Sequence, residues 1–306
     1  MKLTRRDLIK LGAGAGVASV SGAWSALMAD EPGIIKATIP STGEQIPCVG
    51  IGTVKFRGGP GSPAMEPLRK TLQMFHRLGG RVIDTSPNYG DSEAVLGRLL
   101  SQTDLRDKVF MATKVDREDQ AEGIERMEGS FKRLRGGIDL MQVHNLRGTD
   151  VELETLQAWK DEGRFRYIGV TTHRTSQHQE MEQFMRKYPL DFIQVNYSLA
   201  DRASTERILP LAQDKGIAVL VNRPFGKGEL FGAVKGRDLP EWAADIDAKS
   251  WGQVFLKYII SHPAATIPIP GTTKPHHARD NMGAMLGRLP DVALRQDMES
   301  YMDALL

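Results

Sequence analysis

"RVIDTSPNYGDSEAVLGRLL", residues 81–100, changes its period half way along. Val82 and Ile83 are β-branched and apolar, the pairing of a buried strand, whereas Ala94, Val95, Leu96 and Leu99 fall at the spacing of one helix face. Between them stand Asp84 at the strand end, Tyr89 in the turn and Gly90 beside it. The stretch is a strand–helix unit with polar chemistry at its hinge.

The unit recurs along the chain. Short apolar runs stand at 48–53, 81–85, 109–114, 139–144, 167–172, 192–197, 217–222 and 265–270. The segments between them have helical spacing: 64–78, 92–103, 118–134, 151–162, 176–188, 203–215, 250–261 and 276–287. Met65, Leu68, Leu72 and Phe75, at steps of three and four, are one such face. Eight strand–helix alternations predict an α/β fold of the (β/α)8 TIM barrel type over residues 30–306. The competing arrangement, an open doubly wound sheet, usually carries a G-x-G-x-x-G turn after an early strand. "GAGAG" at 12–16 follows no strand.

A barrel places its chemistry at the C-terminal ends of its strands. Asp84, Lys114 and His144 end three successive apolar runs and so converge on one mouth. A phenol ordinarily titrates near 10, and a neighbouring ammonium lowers that value. Lys114 is placed to act on Tyr89 in this way, Asp84 to hold Lys114, and His144 to bond a substrate oxygen. The set makes a proton donor beside a carbonyl-binding group and requires no metal.

"DTSPNYGDSEAVLG" resembles the D-T-x-x-x-Y-G-x-S-E-x-x-L-G segment of the aldo-keto reductases, and the likeness extends from "IPCVGIGT" to "DNMGAML". The resemblance implies a catalytic tetrad of Asp84, Tyr89, Lys114 and His144. It also implies reversible hydride transfer between a nicotinamide and a small-molecule carbonyl or alcohol. It assigns Gly52 and Thr53 to the nicotinamide side, and Thr171, Thr172 and Gln194 to the carboxamide. Asn222 stands where the family often stacks an aromatic ring, followed by Arg223, Pro224, Phe225 and Gly226 as a phosphate-side loop. Gly271, Thr272 and His277 stand where the family commonly has a Lys, a Ser and an Arg gripping the adenosine 2′-phosphate; Lys274, beside Thr273, is the nearest fixed positive charge, and Asp280 and Asn281 match the adenine side. The cofactor so implied is NADP, with NAD as the alternative. From loop position, Phe56, Asn145, Arg223 and Phe225 are candidates for the substrate pocket.

The single cysteine, Cys48, excludes an intramolecular disulfide and a multi-cysteine metal site. The first 29 residues carry Lys2, Arg5, Arg6 and Lys10 against Asp7, a net of +3, which leaves −1 for the rest of a chain totalling +2. A near-neutral body gives no electrostatic basis for binding nucleic acid. No charge occurs from Leu11 to Ala29, and "TRRDLIK" resembles the twin-arginine export motif. Residues 1–29 are therefore expected to be a cleaved signal peptide. The twin-arginine translocase is the partner, the periplasm the destination, and no stable membrane insertion follows cleavage.

Overall fold

The computed structural model describes residues 33–103, 105–264 and 266–306; the expected export segment lies outside the described residues. Eight parallel strands follow in sequence order around one sheet: β3 Ile51–Gly52, β4 Val82–Asp84, β5 Phe110–Val115, β6 Leu140–Val143, β7 Tyr167–Thr171, β8 Phe192–Asn196, β9 Ala218–Asn222 and β10 Thr266–Pro268. A parallel bridge between Gly52 and Gly271 brings the first strand back to the last. Across this seam the Gly50 amide donates to Pro268 O at 2.9 Å and the Gly52 amide to Pro270 O at 3.3 Å. The architecture is the expected (β/α)8 barrel.

The strands read as unbroken apolar runs because both faces are covered. All six residues of β5 and all five of β7 and β8 are buried. The helix Met65–Arg77 turns Met65, Leu68, Leu72 and Phe75 inward. Each fully buried side chain of that size contributes about 1.5–3 kcal/mol. Helices Ser92–Gln102 and Gln120–Leu134 pack closely enough that a Cβ on Gly97 would stand 2.1 Å from Arg133 O. Side-chain caps start several helices: Asp119 accepts from the Glu122 amide, Ser250 from that of Gln253, and Asp291 from that of Leu294.

Some elements differ from the sequence expectation. The first barrel strand is two residues long, because Pro47 ends an antiparallel hairpin, β1 Lys36–Thr38 with β2 Gln45–Pro47. The hairpin buries Ile39 and Ile46. Its Thr42 hydroxyl lies 2.9 Å from the Tyr167 hydroxyl, and Glu44 accepts from Arg166 at 2.6 Å. Those partners stand at and just before the start of β7, so the hairpin covers the N-terminal end of the barrel and leaves the other end for chemistry. Segment 203–215 is a 3-10 turn, Ala203–Thr205, followed by a helix at Ile208–Lys215. Helix Pro275–Gly283 stops short of 287, and a further helix, Val292–Asp303, follows. No helix of the described residues is long and apolar enough to cross a membrane.

Candidate active site

Asp84 is the last residue of β4, and Lys114 stands one from the end of β5. Both are fully or nearly fully buried, at 2 % and 0 % exposure, so each needs the other. Lys114 Nζ donates to Asp84 Oδ1 at 2.8 Å, to Oδ2 at 2.7 Å and to Thr85 O at 2.8 Å. Its reach ends at the Tyr89 hydroxyl, 3.5 Å away. Gly90, at φ +58°, adopts the left-handed turn that returns the chain to the helix at Ser92. His144 follows β6, and its ring meets that of Tyr89 edge to face at 6.0 Å. The four expected catalytic side chains thus share one mouth.

The electrostatics of that mouth differ in one respect from the sequence expectation. Burial raises the Tyr89 phenol, and the lowering by Lys114 does not overcome it; Asp84 raises it further. The phenol therefore sits above its ordinary 10 rather than below it. Burial pulls Lys114 down, but Asp84 and Tyr89 outweigh this and hold it above its usual value. His144 is lowered to about 3 by burial, then by Lys114, His173 and Arg126. At neutral pH the site therefore holds a protonated phenol, an ammonium and a neutral imidazole.

A cavity of about 780 Å3 opens from the tetrad across the strand ends to the loops after β9 and β10. Gly52, Thr53, Thr171, Gln194, Asn222, Arg223, Pro224, Phe225 and Gly271 line it, as does Asn145. Phe56 does not: it is buried. Thr172 is turned elsewhere, its hydroxyl donating to Gln177 Oε1 at 2.6 Å and accepting the Arg174 amide. Gln194 Nε2 donates to Asp84 Oδ1 at 2.8 Å, so it supports the tetrad from within the barrel.

Gly226, Thr272, Thr273, Lys274, His277, Asp280 and Asn281 stand outside the lining of this cavity; all but Gly226 lie in or just before the helix Pro275–Gly283. Thr272 accepts the Lys274 amide, and the His277 ring lies 4.4 Å from that of His276. Asp280 is engaged by the neighbouring helix, accepting from Ser250 Oγ at 2.9 Å and Gln253 Nε2 at 3.1 Å.

Several lining residues escaped the sequence reading: Lys55, Asn88, His173, Lys227 and Phe231. Asn88 adjoins Tyr89 within the opening motif, but its partners lie far along the chain. Lys227 and Phe231 belong to the loop and short helix after β9, a segment with too little periodicity to read. Asn145, Leu146, Arg223 and Lys227 all have positive φ, and all sit in the loops around the mouth or beside them. Backbone strain of this kind persists where the surroundings over-determine it, commonly at functional sites.

The far end of the cavity is cationic. Among the described residues, Arg223 and Lys227 on its wall and Lys274 beyond it have no carboxylate partner, though Arg223 donates to His173 O at 3.3 Å. Gly271 adds no side chain, and a Cβ there would meet only Gly52 O, at 3.4 Å. A barrel with a buried Lys–Asp pair, a phenol and a neutral imidazole at its mouth is built for proton transfer to a polarised oxygen.

The Aldo/keto reductase family model matches residues 48–296, and the chain belongs to that family. It is an oxidoreductase. It is 28% identical over 287 residues to the aldo-keto reductase YhdN of Bacillus subtilis, covering 78% of this chain and 85% of the relative. It is 26% identical over 302 residues to the NADH-specific methylglyoxal reductase of Escherichia coli, covering 79% and 91%. The fold matches that of an aldo/keto reductase from Klebsiella pneumoniae in complex with NADP and acetate, at a TM-score of 0.72, 24% identity and coverage of 88% and 95%.

Proposed function

We propose that this chain reduces an aldehyde or ketone with hydride from NADPH, and that Tyr89 supplies the proton. The observation that carries the reading is Lys114 Nζ, joined to the Asp84 carboxylate at 2.7 Å and within 3.5 Å of the Tyr89 hydroxyl. The bound nicotinamide supplies the hydride. Tyr89 keeps its proton at neutral pH and releases it to the developing alkoxide, beside the ammonium of Lys114. Asp84 keeps Lys114 charged, and Gln194 holds Asp84. His144, neutral, offers an N–H to the carbonyl oxygen and orients it.

Arg223, Pro224, Phe225 and Gly226 would cradle the pyrophosphate, with Lys227 adding charge. Lys274 with Thr272 and Thr273 would meet the 2′-phosphate, while Asp280 and Asn281 border the adenine. The preference for NADP draws support from Lys274 and from the NADP-bound Klebsiella structure. The Escherichia coli relative, named as NADH-specific, marks the alternative. Titrating the purified protein with NADPH and NADH by fluorescence, then following NADPH oxidation with aldehydes, ketones and quinones, tests the reading. Failure to bind either nucleotide overturns it.

The site of action is proposed to be the periplasm, reached through the twin-arginine translocase. Support comes from Thr4, Arg5, Arg6 and Lys10 in "TRRDLIK" and from the uncharged stretch to Ala29. Fractionation of expressing cells tests it, and protein confined to the cytoplasm sinks it.

A further inference from the structure

The environment of His144 contains a polar device that the tetrad does not explain. Two groups converge on its Nδ1: Ser86 Oγ at 3.2 Å and Asn88 Nδ2 at 3.3 Å. A ring nitrogen facing two donors must accept, but only if both donors are oriented to give. The structure fixes the orientation of the amide, and the hydroxyl follows it.

Ser86 is fully buried, and its oxygen accepts the Asn88 backbone amide at 3.1 Å. That leaves the hydroxyl a hydrogen and a second lone pair, so Ser86 can serve either tautomer of His144 and the choice falls to Asn88. Asn88 stands on the rim of the mouth, yet its amide head is held from opposite sides. Its Oδ1 accepts from Arg126 Nη2, and its Nδ2 donates to Asp116 Oδ2. An arginine cannot accept and a carboxylate cannot donate, so the two partners exclude the flipped amide. The second Nδ2 hydrogen is left for His144. Asp116 is itself anchored by Arg117 at 2.8 Å, so the arrangement reaches back to the end of β5 and out to helix Gln120–Leu134.

From this geometry we infer that Asn88 is a positioning residue for the reaction: it locks His144 as the tautomer protonated on Nε2, and Ser86 adapts to that choice. The inference rests on the reductase reading above, in which His144 must donate to the carbonyl oxygen. A neutral histidine has one proton, and an Nδ1–H tautomer would turn a lone pair toward the substrate oxygen and repel it. Burial and the nearby cations keep the ring from acquiring a second proton at neutral pH, so the tautomer has to be chosen. Asn88, aimed by Arg126 and Asp116, makes that choice.

The test uses the full protein labelled with 15N-histidine. The His144 ring resonances are assigned by their loss in His144→Gln. In the unaltered protein Nδ1 should be unprotonated and Nε2 protonated. Asn88→Asp keeps the shape but replaces the donor by an acceptor, so the proton should move to Nδ1. With it kcat for carbonyl reduction should fall by about 100-fold, the scale of one lost oxyanion donor, while the Kd for NADPH stays unchanged. Asn88→Leu removes the donor without adding charge; it should give a mixture of tautomers and a smaller loss, and it serves if the aspartate variant does not fold. A protonated Nδ1 in the unaltered protein, or full kcat in both variants, overturns the inference. A protein that reduces no carbonyl yet shows the expected tautomer shifts overturns the reductase reading and sustains the assignment to Asn88.

Discussion

Tyr89 and Lys114 do different things to the same proton, and two substitutions separate them. Tyr89→Phe deletes only the donor. It should leave NADPH affinity within about twofold and lower carbonyl turnover by about 10²–10⁴-fold, as steady-state kinetics would show. Lys114 lowers the phenol against the effect of burial. Lys114→Met should therefore push it higher still. The proposed reduction needs the protonated phenol, so the rate is fully present below the phenol's pKa and falls as pH rises through it. In the unaltered enzyme that alkaline limb should begin above pH 10, and His144 should contribute a limb only near pH 3. In Lys114→Met the limb should shift upward while the plateau drops steeply; an unmoved limb would take Lys114 out of the proton's energetics. The same change strands Asp84 in the barrel, at a cost of about 3–5 kcal/mol in denaturant unfolding.

At the scale of elements, the proposed grip on the nucleotide lies in the loops after β9 and β10. Lys274 is exposed just before helix Pro275–Gly283 and has no carboxylate partner among the described residues. Lys274→Glu should weaken NADPH binding by tenfold or more while changing NADH binding little, read from two fluorescence titrations. Equal losses would move the 2′-phosphate elsewhere. These elements also show where sequence reading stops. Buried parallel strands betray themselves by continuous apolar runs, so Asp84, Lys114 and His144 could be placed at strand ends from the one-dimensional pattern. Tyr89 was legible because its turn lies within one strand–helix unit. Asn88 was not, because its role depends on Arg126, 38 residues along on another helix. The β1–β2 hairpin was missed because three-residue strands leave no period to detect. Helix Val292–Asp303 was missed because it buries only Met298 and Met302, with Val292 largely exposed. The pKa of Tyr89 was misjudged because local charges can be read from sequence neighbours, whereas the depth of burial belongs to the whole barrel.

On the scale of the whole molecule, the proposed address bears on the proposed chemistry. A twin-arginine route carries folded cargo, so a reductase using it could load its nucleotide before crossing. Changing Arg5 and Arg6 together to Lys should hold the protein in the cytoplasm, as fractionation would reveal; normal arrival in the periplasm would remove the twin-arginine proposal. Such a cargo must stay closed in transit, and the barrel's closure is uneven. Between β3 and β10 the strands are two and three residues long, and Pro268 and Pro270 have no N–H to return to β3. Gly52 and Gly271, which bridge this seam, also line the cavity. A nucleotide lying there would touch both lips of the joint and staple it. In hydrogen–deuterium exchange the Gly50 and Gly52 amides should be among the first barrel-strand amides to exchange in the bare protein, and NADPH should slow them more than any amide of β6 or β7. The cofactor would then act as the last stave of the barrel as well as a reactant.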